Sequence, residues 1–293
     1  MQSKRQIQQL LASAGTGPKK KLGQNFLIDL NLLHLIVSSS NIRETDIILE
    51  IGCGTGSMTQ ALAEKAHRVI AVEYDKVLAA IAVEQLRDTP NVRVLNCDAL
   101  AGKGSLNPLV ADAIDSAAEQ CKGRLLLVAN LPYSVASPII LNMVAGPTIA
   151  DEMHITVQKE VAHKMTAGAG QDDYGPMAIL LAATGTAQIA RIFKPTVFWP
   201  RPQVDSALVH FIRDHDRTAQ TRDFDLLADV VNLFLGHRRK TLQACTKLAT
   251  GRLPKTHDWP AIFAAASIDP ALRPDQLTPR QYVELANRCF DRQ

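Results

Sequence analysis

Cysteine is sparse in this chain of 293 residues. Cys53, Cys97, Cys121, Cys245 and Cys289 stand far apart, are odd in number and include no C-x-x-C pair. That pattern excludes the common zinc-ligand spacings and a disulfide framework, and it fits reduced thiols. No metal is expected. Long apolar runs are missing too. No window holds the ~18 uninterrupted apolar residues of a membrane span, and Met1-Gln-Ser-Lys-Arg5 lacks the apolar run of a signal peptide. A cytoplasmic location is the expectation. A G-x-x-x-x-G-K-[ST] segment is absent, which excludes a P-loop. Internal repeats and low-complexity runs are absent as well.

Net charge is small, +3 at pH 7, so the whole-chain balance points to no particular partner. Its distribution says more, because two stretches contain no acid. Residues 1–24 carry Lys4, Arg5, Lys19, Lys20 and Lys21; residues 236–255 carry Arg238, Arg239, Lys240, Lys247, Arg252 and Lys255. Cations on phosphates release counterions and add sequence-independent affinity. The alternative is a solvated tail and a solvated helix face.

What is present begins with Ile47, Ile48, Leu49 and Ile51, an apolar run that predicts a strand buried on both faces of a parallel sheet. Gly52, Gly54 and Gly56 follow as G-x-G-x-G, and a helix is expected over 57–66. Without Cβ atoms these positions let the backbone turn sharply and approach a ligand. The dinucleotide fingerprint is G-x-G-x-x-G with an acid about 20 residues on. Here the third glycine comes one residue early, and Glu50 at the strand end is foreign to that pattern. A second strand over 68–72 ends in Glu73, and a third over 92–95 ends in Asn96-Cys97-Asp98. An acid at the second strand tip suits ribose hydroxyls, and Asp98 suits an adenine amine. Alone, each acid reads as a solvated loop residue. In succession, at strand carboxyl ends, they resemble the order of the class I S-adenosylmethionine-dependent methyltransferases.

A fourth strand over 125–129 is capped by Asn130-Leu131-Pro132-Tyr133. Pro132 cannot continue a ladder, and it stiffens the loop and biases Leu131 toward an extended conformation. Asn130 offers a side-chain carbonyl and Tyr133 a flat apolar face. This set suits an exocyclic amine. The N6 lone pair of adenine is delocalised into the ring; an Asn130 acceptor and a backbone carbonyl of the same loop would hold both N6 hydrogens and favour a pyramidal nitrogen. A preformed loop needs little reorganisation at the transition state. Tyr133 would stack on an extruded base, worth ~1–3 kcal/mol. A Pro-terminated strand followed by a core tyrosine is the bland alternative.

Five blocks then make the resemblance specific: Lys21-Leu-Gly-Gln-Asn-Phe-Leu27, Glu50-Ile-Gly-Cys-Gly-Thr-Gly56, Asn130-Leu-Pro-Tyr133, Phe198-Trp-Pro-Arg-Pro-Gln-Val-Asp-Ser-Ala207 and Gly236-His-Arg-Arg-Lys-Thr-Leu242. In order and content they resemble the ribosomal RNA adenine N6,N6-dimethyltransferases of the bacterial KsgA type. The resemblance implies that Gln24, Asn25 and Leu27 close over S-adenosylmethionine, that Gly52 and Gly54 lie at the cofactor, and that Glu73 holds its ribose and Asp98 its adenine. It implies Asn130, Leu131, Pro132 and Tyr133 as the target-adenine site, with Asn130 also at the cofactor and Phe198 as a second aromatic around the base. It implies Lys20, Lys21, Arg238, Arg239 and Lys240 as RNA contacts, the immature small ribosomal subunit as partner, and a monomer. A large-subunit enzyme of the antibiotic-resistance type, or a non-catalytic assembly or transcription factor, are the competing readings. The departures are Ser134-Val135-Ala136 where Asn-Ile is common, and a long segment over 102–122.

The expected organisation is a basic mobile arm over 1–24, a methyltransferase domain over 25–212 and a helical RNA-binding domain over 218–293, joined by a charged linker over 213–217. The expected fold is an α/β, mostly parallel Rossmann-like sheet with a closing antiparallel strand and an all-helical C-terminal domain. Helices are expected over 108–118, 160–165, 177–183, 224–235, 239–250, 259–266 and 279–287, a fifth strand over 153–157, and a closing pair over 186–193 and 207–212.

Overall fold

The structure, a computed structural model, describes residues 1–102, 104–253 and 258–291. Lys255 of the second basic stretch lies outside the described residues. The apolar runs become β1 (Ile47–Ile51), β2 (Arg68–Glu73), β3 (Val92–Asn96), β4 (Leu125–Asn130), β5 (Glu152–Gln158), β6 (Gly185–Phe193) and β7 (Ser206–Arg213). They form one sheet in the order β3-β2-β1-β4-β5-β7-β6. β1 pairs in parallel with β2 and with β4, and parallel pairing continues outward to β3 and β5. Every residue of β1 is buried, as are residues 125–129 of β4 and 153–157 of β5. Unbroken apolar runs without alternation suit strands covered on both faces. The strand order changes direction between β1 and β4. In open α/β sheets that crevice, at the carboxyl ends, is where ligands bind.

The helices are α1 (Lys4–Ser13), α2 (Leu30–Ser39), α3 (Ser57–Ala63), α4 (Lys76–Gln85), α5 (Pro108–Gln120), α6 (Ala136–Ala145) and α7 (Lys159–Thr166). They continue as α8 (Pro176–Thr184), α9 (His215–Thr218), α10 (Phe224–Leu235), α11 (Leu242–Thr246), α12 (Trp259–Ala265) and α13 (Pro279–Phe290). Helices α2, α4 and α6 were not anticipated, although Asp29 and Asp75 are N-caps whose carboxylates accept from Leu32 and Val77 amides. The long segment near residue 102 includes a small antiparallel hairpin, Leu100–Gly102 with Ser105–Leu106.

The N-terminal residues depart most from expectation. In place of a mobile arm, Ser3 and Gln6 form a capping box at the start of α1. Ile7 and Leu11, four residues apart on one face, are buried with Leu78 of α4, against Phe26 and Trp199. Most of the other residues of the helix are polar, so the narrow apolar stripe is easily missed in the sequence.

The chain divides into two compact units. The first holds Met1–Ala162 with Ile189–Phe211; the second holds His163–Gln188 and the chain from Ile212 onward. The second unit takes in His163–Gln188, a segment expected within the methyltransferase domain over 25–212. Within the second unit α8 packs against α10 and α13. Helix α8 is apolar all round, burying Ala178, Ile179, Leu180, Leu181 and Ala183, and such a helix must be covered. The segment expected to be a charged linker is ordered: Asp214 caps α9, Arg213 is buried, and Arg217 donates to the carbonyls of Ala182 and Gly185 at the end of α8. The helix expected over 239–250 is shorter. Thr241 caps α11, so Arg238, Arg239 and Lys240 occupy a turn and not a helix.

Candidate active site

The glycine loop and the Asn130–Tyr133 loop leave β1 and β4 side by side and meet across the crevice. Gly52 has φ +79°, and a Cβ there would stand 2.9 Å from Pro132 Cγ. The glycine therefore serves a second purpose, giving Pro132 its seat. Gly54, at φ +59°, lies beneath the Phe26 ring, with 3.3 Å between a built Cβ and Cε1. Its amide donates to Glu73 Oε2 at 2.9 Å, while the Asp75 amide donates to Glu73 Oε1 at 2.8 Å. Two backbone donors thus fix the carboxylate, and each oxygen keeps a lone pair for a hydroxyl donor. Burial raises the Glu73 pKa, opposed by those amides. Asp98, exposed at the β3 end, accepts from the Leu100 amide at 3.0 Å.

In the sequence Glu50 stands out only as foreign to a dinucleotide site. It is 2% exposed, and Oε2 has no hydrogen-bond partner. Burial, with a smaller push from the Glu73 charge, raises its pKa to about 8; nearby Thr59 partly offsets this without a well-formed bond. A buried carboxyl with an unpartnered oxygen, on a residue that lines a cavity, is suited to a cationic ligand group. An acid one residue short of the end of a buried strand, with glycines following, is the sequence signal for it.

The second loop is held from β5 and β7. Asn130 and Thr156 are register partners in the parallel ladder. Thr156 Oγ1 donates to Asn130 Oδ1 at 2.5 Å, and the Thr156 carbonyl accepts from the Leu131 amide at 3.1 Å. Asn130 Nδ2 donates to the carbonyl of Asn25 at 3.0 Å. The Tyr133 hydroxyl bonds Ser206 Oγ on β7 at 2.6 Å; burial raises its pKa and keeps the phenol neutral. Thr156 and Ser206 are fully buried, and the sequence reading missed both. Leu131 is buried at the cavity wall.

Phe198 is not placed with these groups. It is 1% exposed and packs into the core with Leu27, Leu33 and Leu208. In the ribbon that pairs Leu27 with Phe198 and Phe26 with Trp199, successive residues face opposite ways. Trp199 therefore takes the outer face and stacks on Phe26, with ring centroids 6.1 Å apart.

Residues before β1 complete the cavity. Gln24 accepts from the Lys19 amide and donates to Asp75 Oδ2, which Lys19 Nζ also reaches at 2.8 Å. The Asn25 side chain donates to the Gly23 carbonyl. Gln2, buried, takes the Ser57 hydroxyl and the Thr55 carbonyl and hydroxyl as partners, tying α1 to the glycine loop. The resulting cavity of about 350 Å³ is lined by Gln24, Asn25, Leu27, Glu50, Gly52, Gly54, Glu73, Asp98, Asn130, Leu131, Pro132 and Tyr133. Ile7, Phe26, Cys97 and the exposed ring of Tyr74 join them without having been anticipated. Lys21 also lines it, whereas Lys20 stands exposed beside it in the chain.

The cations of the second unit are not equivalent. Arg238 reaches Asp275 at 3.4 Å and donates to the Asp172 carbonyl, whereas Arg239 and Lys240 are exposed. Arg252 pairs with Asp223 and lies near Asp225 and Asp229.

Known proteins resemble this chain in sequence and in fold. The family model for ribosomal RNA adenine dimethylase matches residues 16–287. The chain is 37% identical over 281 residues to ribosomal RNA small subunit methyltransferase A of Lactiplantibacillus plantarum, covering 95% of this chain and 92% of that protein. It is 40% identical over 271 residues to the protein of the same name in Alkaliphilus oremlandii, covering 92% and 90%. Among solved structures, a dimethyladenosine transferase from Plasmodium falciparum superposes with a TM-score of 0.73 at 22% identity, over 89% of this chain and 95% of that one. The 23S rRNA methyltransferase ErmE superposes at 0.61 and 23% identity, over 91% and 100%. At these identities the two structures speak to the fold alone.

Proposed function

The chain belongs to the ribosomal RNA adenine dimethylase family, and from that premise we propose that it transfers methyl groups from S-adenosylmethionine to N6 of two adjacent adenines in a hairpin loop near the 3′ end of small-subunit rRNA. The observation that carries this reading is the meeting of the Asn130–Tyr133 loop with the glycine loop in one cavity, Pro132 seated on Gly52. The cavity fits the cofactor by its chemistry. Gly52 and Gly54 line it with their backbone at positive φ, Glu73 is oriented for hydroxyl donors, and Glu50 Oε2 is a buried acceptor without a partner. S-adenosylmethionine, when bound, supplies an electrophilic methyl group.

The chain's own residues then do the positioning. The second lone pair of Asn130 Oδ1 accepts from the adenine amine, and the Tyr133 ring, braced at its hydroxyl, offers a face for the base. A strong general base is not required, since the amine becomes acidic only once it carries the extra methyl. The substrate is an immature small-subunit particle, met by the protein as a cytoplasmic monomer. Among the described residues no helix is long and apolar enough to cross a membrane.

Methyl incorporation from labelled cofactor tests the reading, with immature small-subunit particles and large-subunit rRNA offered separately. Label in small-subunit adenines is expected. Label only in large-subunit rRNA, or in neither, would overturn it. Asn130→Ala should still bind cofactor and particle while losing most transfer, because its acceptor matters chiefly as the amine pyramidalises.

A further inference from the structure

We infer that Thr156 is a positioning residue for methyl transfer, acting through Asn130. This rests on the reaction proposed above and assigns a role to a residue outside all the motifs read from the sequence.

Strand β5 is buried along its centre, and its neighbours Met153, Ile155 and Val157 are apolar. A threonine in such a strand must bond its hydroxyl to something. At 0% exposure it bonds Asn130 Oδ1 at 2.5 Å, the very atom that has to accept from the amine. A second bond settles which way the amide faces. Asn130 Nδ2 donates to the Asn25 carbonyl at 3.0 Å, so exchanging the amide's oxygen and nitrogen would set two carbonyl oxygens against each other. Asn25 therefore selects the orientation, and the Thr156 hydroxyl, able to donate, completes it. Its β-branched side chain holds few χ1 positions, so the donor is fixed before any substrate arrives. The same residue accepts the Leu131 amide with its carbonyl, which sets the loop backbone beside the side chain it orients.

Removing the hydroxyl leaves Asn130 Oδ1 without its buried donor and frees the amide to rotate. Thr156→Val preserves shape, and Thr156→Ser preserves the hydroxyl. Under single-turnover conditions, with saturating particle and labelled cofactor, Thr156→Val is expected to methylate about tenfold more slowly, the effect of removing one orienting hydrogen bond. Cofactor affinity by calorimetry should be unchanged, and Thr156→Ser should recover most of the rate. In an Asn130→Ala background the valine change should cost nothing further, because its effect passes through the missing amide. Thr156→Ala serves as a second hydroxyl-free variant should the valine protein fold poorly.

Three results would overturn the inference: a wild-type rate in the hydroxyl-free variants, a loss that serine does not repair, or the same loss in the Asn130→Ala background. Wild-type protein that leaves the particles unlabelled would instead overturn the reaction itself, and this inference with it.

Discussion

Glu50 holds its carboxyl where water is excluded, and the consequence has a definite sign. The folded protein binds this proton up to about pH 8, whereas an exposed glutamate releases it near 4.3. Between those values the folded state binds more protons than the unfolded state, so this group's contribution to stability declines as pH rises and levels off above about 8. Glu50→Gln keeps the shape and cannot ionise. It should be more stable than wild type at pH 9, on the order of a few kcal/mol, and nearly equal at pH 4. Its affinity for S-adenosylmethionine should fall, since a cation loses its acceptor. Denaturant midpoints across pH and calorimetry check both; parallel pH curves would remove Glu50 from this role. Gly52 has a different dependence. Alanine there combines a left-handed backbone with a Cβ at 2.9 Å from Pro132, so Gly52→Ala should cost about 2 kcal/mol and weaken cofactor binding. Undiminished cofactor affinity in that variant would show that the two loops need not meet.

Helix α1 is the element whose role the structure changed most. Its hydrophobic anchor is Ile7 and Leu11 on Leu78, and Gln2 ties it to the loop that starts α3. Farther along, Lys19 and Gln24 converge on Asp75, which also caps α4. The first 24 residues are thus bonded to the starts of the helices that follow β1 and β2. Leu11 does not line the cavity, so Leu11→Ala tests the element and not a ligand contact. It should release α1 locally, seen as faster amide exchange there, and lower cofactor affinity about tenfold. Unchanged exchange and affinity would mean that α1 is independent of the site.

For the whole molecule the question is which cations are available to phosphate. Lys19 is held by Asp75, and Arg252 by Asp223. Arg238 is occupied within its own unit by Asp275 and the Asp172 carbonyl. Arg239 and Lys240 are exposed in the turn before α11. Replacing Arg239 and Lys240 with alanine should leave the melting temperature alone and shrink the salt slope of particle binding by about 0.7–0.9 for each phosphate no longer neutralised. Arg238→Ala should do the reverse, lowering stability with little change in slope. Binding titrations over a range of salt, beside thermal melts, would distinguish them; a slope that responds chiefly to Arg238 would reverse the assignment.

The sequence by itself determined the strands, the two loops that end β1 and β4, and the acids at the strand tips. Those features are local: a run of apolar residues, a missing Cβ or a proline acts within a few positions of itself. Gly52, Glu73, Asp98, Asn130 and Tyr133 are legible as a set for that reason, and all line the cavity. Only the tertiary structure decided what meets them. Thr156 reaches Asn130 across 26 positions, Ser206 reaches Tyr133 across 73, and Gln2 reaches Ser57 across 55. It also sent Phe198 into the core, gave Arg238 an acid partner and joined α8 to the C-terminal helices. Each of these outcomes depends on which strand or helix becomes a neighbour and in what register. That is settled by packing one apolar surface against another, and such surfaces are specified by the whole chain and not by any short stretch of it.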